Sequence, residues 1–345
     1  MKICLLTTQV PFIRGGAEVL TDSLASELRQ RGHRVELVQL PFAGHPAQSL
    51  DACIRYALSY DLNSRCDRAI GLKFPTYLAR HDHLSMWLMH QHREFYDLWD
   101  NPAIRTYRES AGMASLREEV IRLDTSELGR HKKIFTISPN VSKRLEQFNG
   151  LKSTPMYPPP SEHLILKGGE FEDYLLVPSR LGPLKRQELA LRSLALAQPG
   201  IKLVFLGAPD SDDYLTVLQN LASDLGVEDR VRWTGYVSRD EKVALFSNCK
   251  GVVFIPVDED MGYITMEAAL SFKPVITCSD SGGPLDFVEA GRNGWIAEPD
   301  PQSLASAMNE LWTSSGSRLT EMGREGNRIY GAKNISWDSI LERLL

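Results

Sequence analysis

Two glutamates eight positions apart, Glu259 and Glu267, bracket the stretch of this chain with the most evident chemistry. The segment runs Val257-Asp258-Glu259-Asp260-Met261-Gly262-Tyr263-Ile264-Thr265-Met266-Glu267-Ala268 and follows an apolar run from Val252 to Val257. It reads as a strand, a short acidic loop, a glycine and a helix opening. Glu259 then stands at the mouth of a site, and Glu267 lies in the second turn of the helix. Between them are the backbone N–H groups of Gly262, Tyr263 and Ile264, and N–H groups at a helix start attract phosphate. A phosphate cradle between two hydroxyl-binding carboxylates suits a sugar nucleotide. The same acids also fit a solvated turn followed by a helix-face carboxylate. Asp258-Glu259-Asp260 as a cation site is a third reading, although oxygen sites usually interleave their ligands more evenly.

Other residues invite the same question. Arg180 follows the apolar Tyr174–Val177, and Lys185 lies five residues later, just before a helix pattern from Glu188 to Leu196. An arginine fork and a lysine point charge at a strand end neutralise a diphosphate, yet surface cations are also common. Gly15 and Gly16 precede the helix pattern Ala17–Gln30, where paired glycines let a ligand or a backbone approach closely, or simply make a tight turn. That turn lacks the GxGxxG spacing, and the next strand ends in Gln39-Leu40 with no acid for a ribose, so a nicotinamide-dependent enzyme is disfavoured. His90-Gln91-His92-Arg93 closes the apolar Met86–Met89; in extended backbone both histidines face one side. They suit a polar edge of a site or bonds to nearby backbone better than a metal, which needs a further clustered ligand. Ser281-Gly282-Gly283-Pro284 either presents backbone N–H groups to a ligand or makes a plain turn. Ser138-Pro139 reads as a helix N-cap.

The elements that must position these residues are short apolar runs alternating with helix patterns. Expected strands are Lys2–Thr8, Arg34–Leu40, Arg68–Phe74, Ser85–His90 and Lys133–Ile137, then Tyr174–Ser179, Lys202–Gly207, Val231–Thr234, Gly251–Pro256 and Pro274–Cys278. Density in Val, Ile and Leu marks strands covered on both faces of a parallel sheet. The fold class is therefore α/β, with two doubly wound, Rossmann-like parallel-sheet domains facing a cleft. The prolines at Pro155 and Pro158–Pro160 mark the joint. The domains run over residues 1–160 and 161–328, followed by a terminal segment, 329–345.

With 345 residues, 43% hydrophobic and 24% charged, and a formal net charge of −5, the chain has the composition of a globular protein and no general affinity for nucleic acid. Cys4, Cys53, Cys66, Cys249 and Cys278 are scattered and odd in number, which disfavours a disulfide framework or a structural zinc site. No run reaches the length of a membrane span, and a cytoplasmic location is expected. Residues 101–130 read as helical and arginine-rich. They form either a solvated face or, with Arg105, Arg108, Arg117, Arg122, Arg130, Lys132 and Lys133, a surface for peripheral contact at the inner face of a membrane.

Taken together, these motifs resemble the family 4 retaining glycosyltransferases (glycosyl transferase group 1) of GT-B fold. The resemblance is strongest in Glu259–Glu267 and in the downstream Lys273–Ile276, Asp280–Pro284, Val288 and Asn293–Trp295. The opening "KICLLTT…GGAE" and the pair Arg180 and Lys185 also match. One departure is visible: Asp260 and Met261 stand where the family often has glycine and an aromatic. The resemblance implies transfer of a sugar from a UDP- or GDP-sugar to a glycan or lipid-linked acceptor, with retention, no divalent metal and no resident cofactor. It implies that Arg180 and Lys185 hold the diphosphate, that Glu267 binds the ribose, and that Glu259 with Met261, Gly262, Tyr263 and Ile264 positions the donor sugar. His90 lies beside the reacting sugar, Gly15 and Gly16 approach the diphosphate, and Tyr236 and Val237 flank the base. Trp337–Leu345 resembles the family's terminal helix that crosses back to the first domain. A nucleotide-sugar epimerase on the same scaffold and a non-catalytic sugar-nucleotide-binding subunit are the alternatives.

Overall fold

The computed structural model describes residues 1–9, 15–161 and 163–345. In chain order the first part contains β1 (Lys2–Gln9), α1 (Gly16–Gln30), β2 (Arg34–Pro41), α2 (Ala47–Ser59), β3 (Arg68–Lys73), β4 (Leu84–His90), α3 (Arg105–Arg108), α4 (Met113–Leu128), β5 (Ile134–Thr136), α5 (Pro139–Asn149) and β6 (Thr154–Pro155). The second contains β7 (Leu175–Pro178), α6 (Gln187–Leu196), β8 (Leu203–Leu206), α7 (Asp212–Asp224), β9 (Val231–Trp233), α8 (Arg239–Asn248), β10 (Gly251–Val253), α9 (Tyr263–Leu270), β11 (Val275–Cys278), β12 (Gly294–Ala297), α10 (Pro301–Thr313) and α11 (Gly316–Ala332). The chain ends in α12 (Trp337–Leu344). It divides into a unit of Met1–Ser161 with Ile335–Leu345 and a unit of Glu162–Asn334. The boundary of the terminal segment thus falls at Ile335 rather than at 329, because residues 329–332 complete α11.

In the first unit the sheet order is β2-β1-β3-β4-β5-β6, and every pairing is parallel. The order reverses at β1, which pairs β2 on one side and β3 on the other. Leu20, Leu24 and Leu28 of α1 are buried, as their four-residue spacing predicts. Ser138 caps α5 by accepting the Val141 N–H at 3.1 Å. In α12, Trp337, Ile340, Leu341 and Leu344 form one apolar stripe. The Trp337 ring meets the buried Trp87 of β4 edge-on at 6.2 Å, and Ser85 donates to the Leu344 carbonyl at 2.7 Å.

In the second unit the order is β12-β11-β10-β7-β8-β9, again parallel throughout. This is the order of a dinucleotide-binding sheet, and it reverses between β7 and β10. Alternation along each strand feeds two cores. Leu175, Val177, Leu203 and Phe205 face one layer with Leu191, Leu194, Leu304 and Met308; Leu176, Val204 and Leu206 face the other with Leu245, Phe246 and Ala268. Burial on both faces is why these strands read as unbroken apolar runs.

β6 and β12 are additions to the expected strands. β6 is two residues long and contains Pro155, which has no N–H to donate and is tolerated at the sheet edge where β6 lies. In β12, Trp295 is half-buried and Ile296 exposed, so no apolar run marks it.

Candidate functional site

Ligands of doubly wound sheets bind beyond the carboxyl ends of the strands where the order reverses. In the second unit those ends belong to β7 and β10. The loop after β7 carries Arg180 and Lys185, and the loop after β10 carries Glu259. Lys185 Nζ donates to Glu259 Oε2. The side chains of this pair retain 23% and 22% exposure, so the pair is reachable from solvent. Arg180 Nε pairs with Asp210 Oδ1 at 2.9 Å, so its guanidinium is held by the loop after β8.

A ladder of backbone bonds stitches the loops together. Val257 N–H donates to the Leu184 carbonyl at 2.8 Å, Asp258 N–H to Asp280 at 3.0 Å, Glu259 N–H to Ser281 at 2.8 Å and Gly283 N–H to Glu259 at 2.8 Å. Gly262 begins α9 with φ 81° and ψ 64°, a left-handed conformation that favours glycine. Thr265 Oγ1 returns to the Gly262 carbonyl at 2.7 Å. The first turn of α9 therefore opens beside Glu259, with the positive end of its dipole toward the strand ends. Met261 is buried at 3% exposure, and Tyr263 and Ile264 are half-buried.

Glu267 lies in the second turn of α9, buried at 6% exposure, and its Oε1 accepts from Lys242 Nζ of α8 at 2.6 Å. Burying a carboxylate is costly unless a countercharge and hydrogen bonds compensate, and Lys242 supplies both. Beyond β9, Gly235 is left-handed at φ 64°, and its carbonyl accepts from Gly207 N–H at 3.2 Å. Tyr236 stands 90% exposed while Val237 packs partly on the core.

Several of these residues carry no sequence signature. Lys242, Asp210 and Arg186 enter the site only through tertiary packing, whereas Asp280 lies in the Asp280–Pro284 stretch that carried the resemblance. Arg186 adopts φ 55° and ψ 39°, left-handed for a residue with a side chain, at a cost of about 1–2 kcal/mol. Its guanidinium forks Asp280, Nη1 to Oδ1 at 2.6 Å and Nη2 to Oδ2 at 2.5 Å.

In the first unit the order reverses at β1 and β3. Residues 10–14, which link β1 to Gly15, lie outside the described residues. Gly15 has φ −139°, and a Cβ there would meet only Glu18 Oε2 at 3.6 Å, so local backbone does not demand glycine. Its N–H donates to Glu18 Oε2 at 2.8 Å, and Glu18 Oε1 lies 3.9 Å from Lys73 Nζ at the end of β3. Gly16 is the first residue of α1.

His90 ends β4, with Nδ1 bonded to the Gln91 carbonyl at 2.6 Å. The expectation that His90 and His92 share one face of an extended strand is corrected: the strand stops at His90 and a single helical turn begins at Arg93. His92 turns into an aromatic cluster, stacked on Phe74 at 5.6 Å and edge-on to Phe95 at 4.8 Å. Its Nε2 meets the Tyr107 hydroxyl at 2.6 Å. Burial pushes its imidazole down to about 4. Among the described residues no group of three His, Cys, Asp or Glu side chains converges as a metal site.

On the arginine-rich stretch, Arg105 pairs with Glu109, Arg108 with Asp100 and Arg130 with Glu127, while Arg117 lies over the Trp99 ring at 4.8 Å. Among the described residues no helix is long and apolar enough to cross a membrane.

Residues 166–328 match the family model described as "Glycosyl transferases group 1". An uncharacterized glycosyltransferase of Methanocaldococcus jannaschii is 29% identical over 172 residues, 49% of this chain and 43% of that protein. A D-inositol 3-phosphate glycosyltransferase of Mycobacteroides abscessus is 28% identical over 169 residues, 48% of this chain and 37% of that protein. The matched stretch thus spans less than half the length of these curated relatives. The crystal structure of HepE from Anabaena, in complex with UDP and glucose, matches with a TM-score of 0.73 at 18% identity, over 100% of this chain and 98% of that one. At that identity the likeness concerns the fold. Over residues 166–328, then, the chain is similar to the group 1 glycosyltransferases, and over its whole length it has the GT-B fold.

Proposed function

We propose that the protein is a retaining glycosyltransferase that moves a hexosyl group from a UDP- or GDP-sugar to a glycan or lipid-linked acceptor. The observation that carries the reading is the meeting of Lys185 with Glu259 beside the α9 start, at the reversal point of the second sheet, with Glu267 buried one turn further on. The relatives' descriptions as glycosyltransferases and the UDP and glucose in the HepE crystal support the same donor class.

Each role has a physical basis. Glu267, held by Lys242, accepts hydrogen bonds from the ribose hydroxyls. Arg180 and Lys185 exchange Asp210 and Glu259 for the diphosphate and stabilise the charge that grows on the leaving phosphate. That exchange frees Glu259, with the backbone of Met261, Gly262, Tyr263 and Ile264, to position the donor sugar. Tyr236 and Val237 flank the base. Gly15 and Gly16 offer a close backbone approach to the diphosphate, His90 a polar group beside the reacting sugar, and residues 1–161 the acceptor's recognition. The bond from the anomeric carbon to phosphate breaks, the acceptor oxygen bonds on the same face, and its proton passes to the departing phosphate oxygen. Arg180 and Lys185 supply the countercharge, so neither a divalent metal nor a resident cofactor is invoked. Peripheral contact with a membrane accompanies a lipid-linked acceptor.

The test is release of UDP or GDP from a panel of donor sugars with glycan and lipid-linked acceptors, in the presence of chelator, with the anomeric product read by NMR. Retained configuration in an acceptor-dependent product is expected. An isomerised donor without acceptor identifies an epimerase, and binding without turnover identifies a non-catalytic subunit; either outcome refutes the proposal.

A further inference from the structure

Asp280 touches the two non-glycine residues of positive φ in the loops that carry the candidate donor groups. Its carboxylate receives the two-pronged fork of Arg186, whose φ is 55°. Its carbonyl receives the N–H of Asp258, whose φ is 39°. Arg186 adjoins Lys185, and Asp258 adjoins Glu259. We infer that Asp280 and Arg186 form a clasp that positions Lys185 and Glu259 against one another, so that both are positioning residues for the nucleotide diphosphate. The inference rests on the donor-site reading proposed above.

Two features argue that the clasp serves geometry rather than stability. The Asp280 side chain keeps 44% exposure, so solvent screens the pair and limits what even a bidentate fork adds to folding. Glycine would also adopt the left-handed conformation at position 186 without strain, yet an arginine stands there. Strained backbone retained with a specific partner points to function. The fork adds what glycine cannot: two parallel charge-assisted bonds that fix direction as well as distance between the loops after β7 and β11. The loop after β10 is bonded to both, through Val257 to Leu184 and through Glu259 to Ser281.

The test compares wild type, Arg186→Gly, Asp280→Ala and the double variant by calorimetric titration with UDP and with GDP, alongside thermal unfolding. Each single variant is expected to weaken nucleotide binding about tenfold, the double variant no more than either single one, with Tm within about 3 °C of wild type. Full binding by both single variants overturns the clasp. A loss in Arg186→Gly but not in Asp280→Ala also overturns it, because Arg186 would then touch the phosphates itself. A collapse of Tm in both variants overturns it in favour of a general structural role. If wild type binds neither UDP nor GDP, the donor-site reading itself falls, and that result is distinct from all the others.

Discussion

Gly283→Ala should disturb the site through backbone alone. A Cβ at position 283 would stand 2.6 Å from Met261 Cα, 2.6 Å from its carbonyl oxygen and 2.7 Å from its carbonyl carbon. Ordinary van der Waals contact begins near 3.4 Å, so about 0.8 Å must open between two main-chain segments. No rotamer change relieves a clash with backbone. The segments are also bonded, Gly283 N–H to the Glu259 carbonyl at 2.8 Å and Glu259 N–H to Ser281 at 2.8 Å. Overpacking of this kind costs about 1–3 kcal/mol, and a weakened hydrogen bond adds about 1 kcal/mol. For a unit of this size the expected fall in Tm is roughly 4–16 °C. Met261 immediately precedes the α9 start, so nucleotide affinity should fall as well. The assay is thermal unfolding with and without UDP or GDP. Gly316→Ala serves as control, since a Cβ there meets nothing within 4 Å. A Gly283→Ala protein with the parent's Tm and nucleotide affinity would show that the Met261 and Gly283 backbones are not tightly packed against each other.

Other outcomes follow from the same geometry. Lys242→Met removes the countercharge of a Glu267 side chain only 8% exposed, while Lys242 keeps 28%; between the limits for buried and surface pairs, about 1–3 kcal/mol of stability should be lost in urea unfolding, and an unchanged midpoint would contradict it. Stability against pH should reveal two opposed groups in the first unit. His92 titrates near 4 when folded against 6.5 ordinarily, so the unfolded chain takes the proton first and stability is lost as pH falls from 6.5 to 4. Asp124, hydrogen-bonded to the Tyr96 hydroxyl at 2.7 Å, is pushed up by burial to about 7 from 3.8, so its contribution is full at low pH and lost as pH rises through 7. Asp124→Asn removes the second effect. Its unfolding free energy should fall more steeply than wild type's between pH 6.5 and 4.5, and parallel curves would refute the assignment.

How much of this was legible in the sequence depends on how local each signal is. The buried strands declared themselves because both faces are covered, as with Leu175–Pro178 and Val275–Cys278. Gly262 followed by Tyr263–Leu270 was readable because the glycine, the loop and the helix are contiguous. β12 was not readable, since its side chains are only partly buried and its place in the sheet comes from pairing with β11. Lys242 lies 25 residues before Glu267, and nothing in its own helix marks it. The left-handed backbone of Arg186 defied its residue type, because arginine rarely adopts φ above zero; a fork to a partner 94 residues away overrides that preference. His92 was misplaced because the strand ended two residues earlier than extended geometry required, and the aromatic cluster of Phe74, Phe95 and Tyr107 drew the ring inward.

On the proposed function, the strand ends of the second unit bind a nucleotide diphosphate through Glu267. Calorimetric titration of wild type and Glu267→Ala with UDP and with GDP tests it most directly. One of the two nucleotides should bind wild type at a single site, and Glu267→Ala should lose at least about tenfold in affinity, as removal of a buried hydrogen-bond acceptor should cause. Binding that is absent in wild type, or equal in the two proteins, would contradict it.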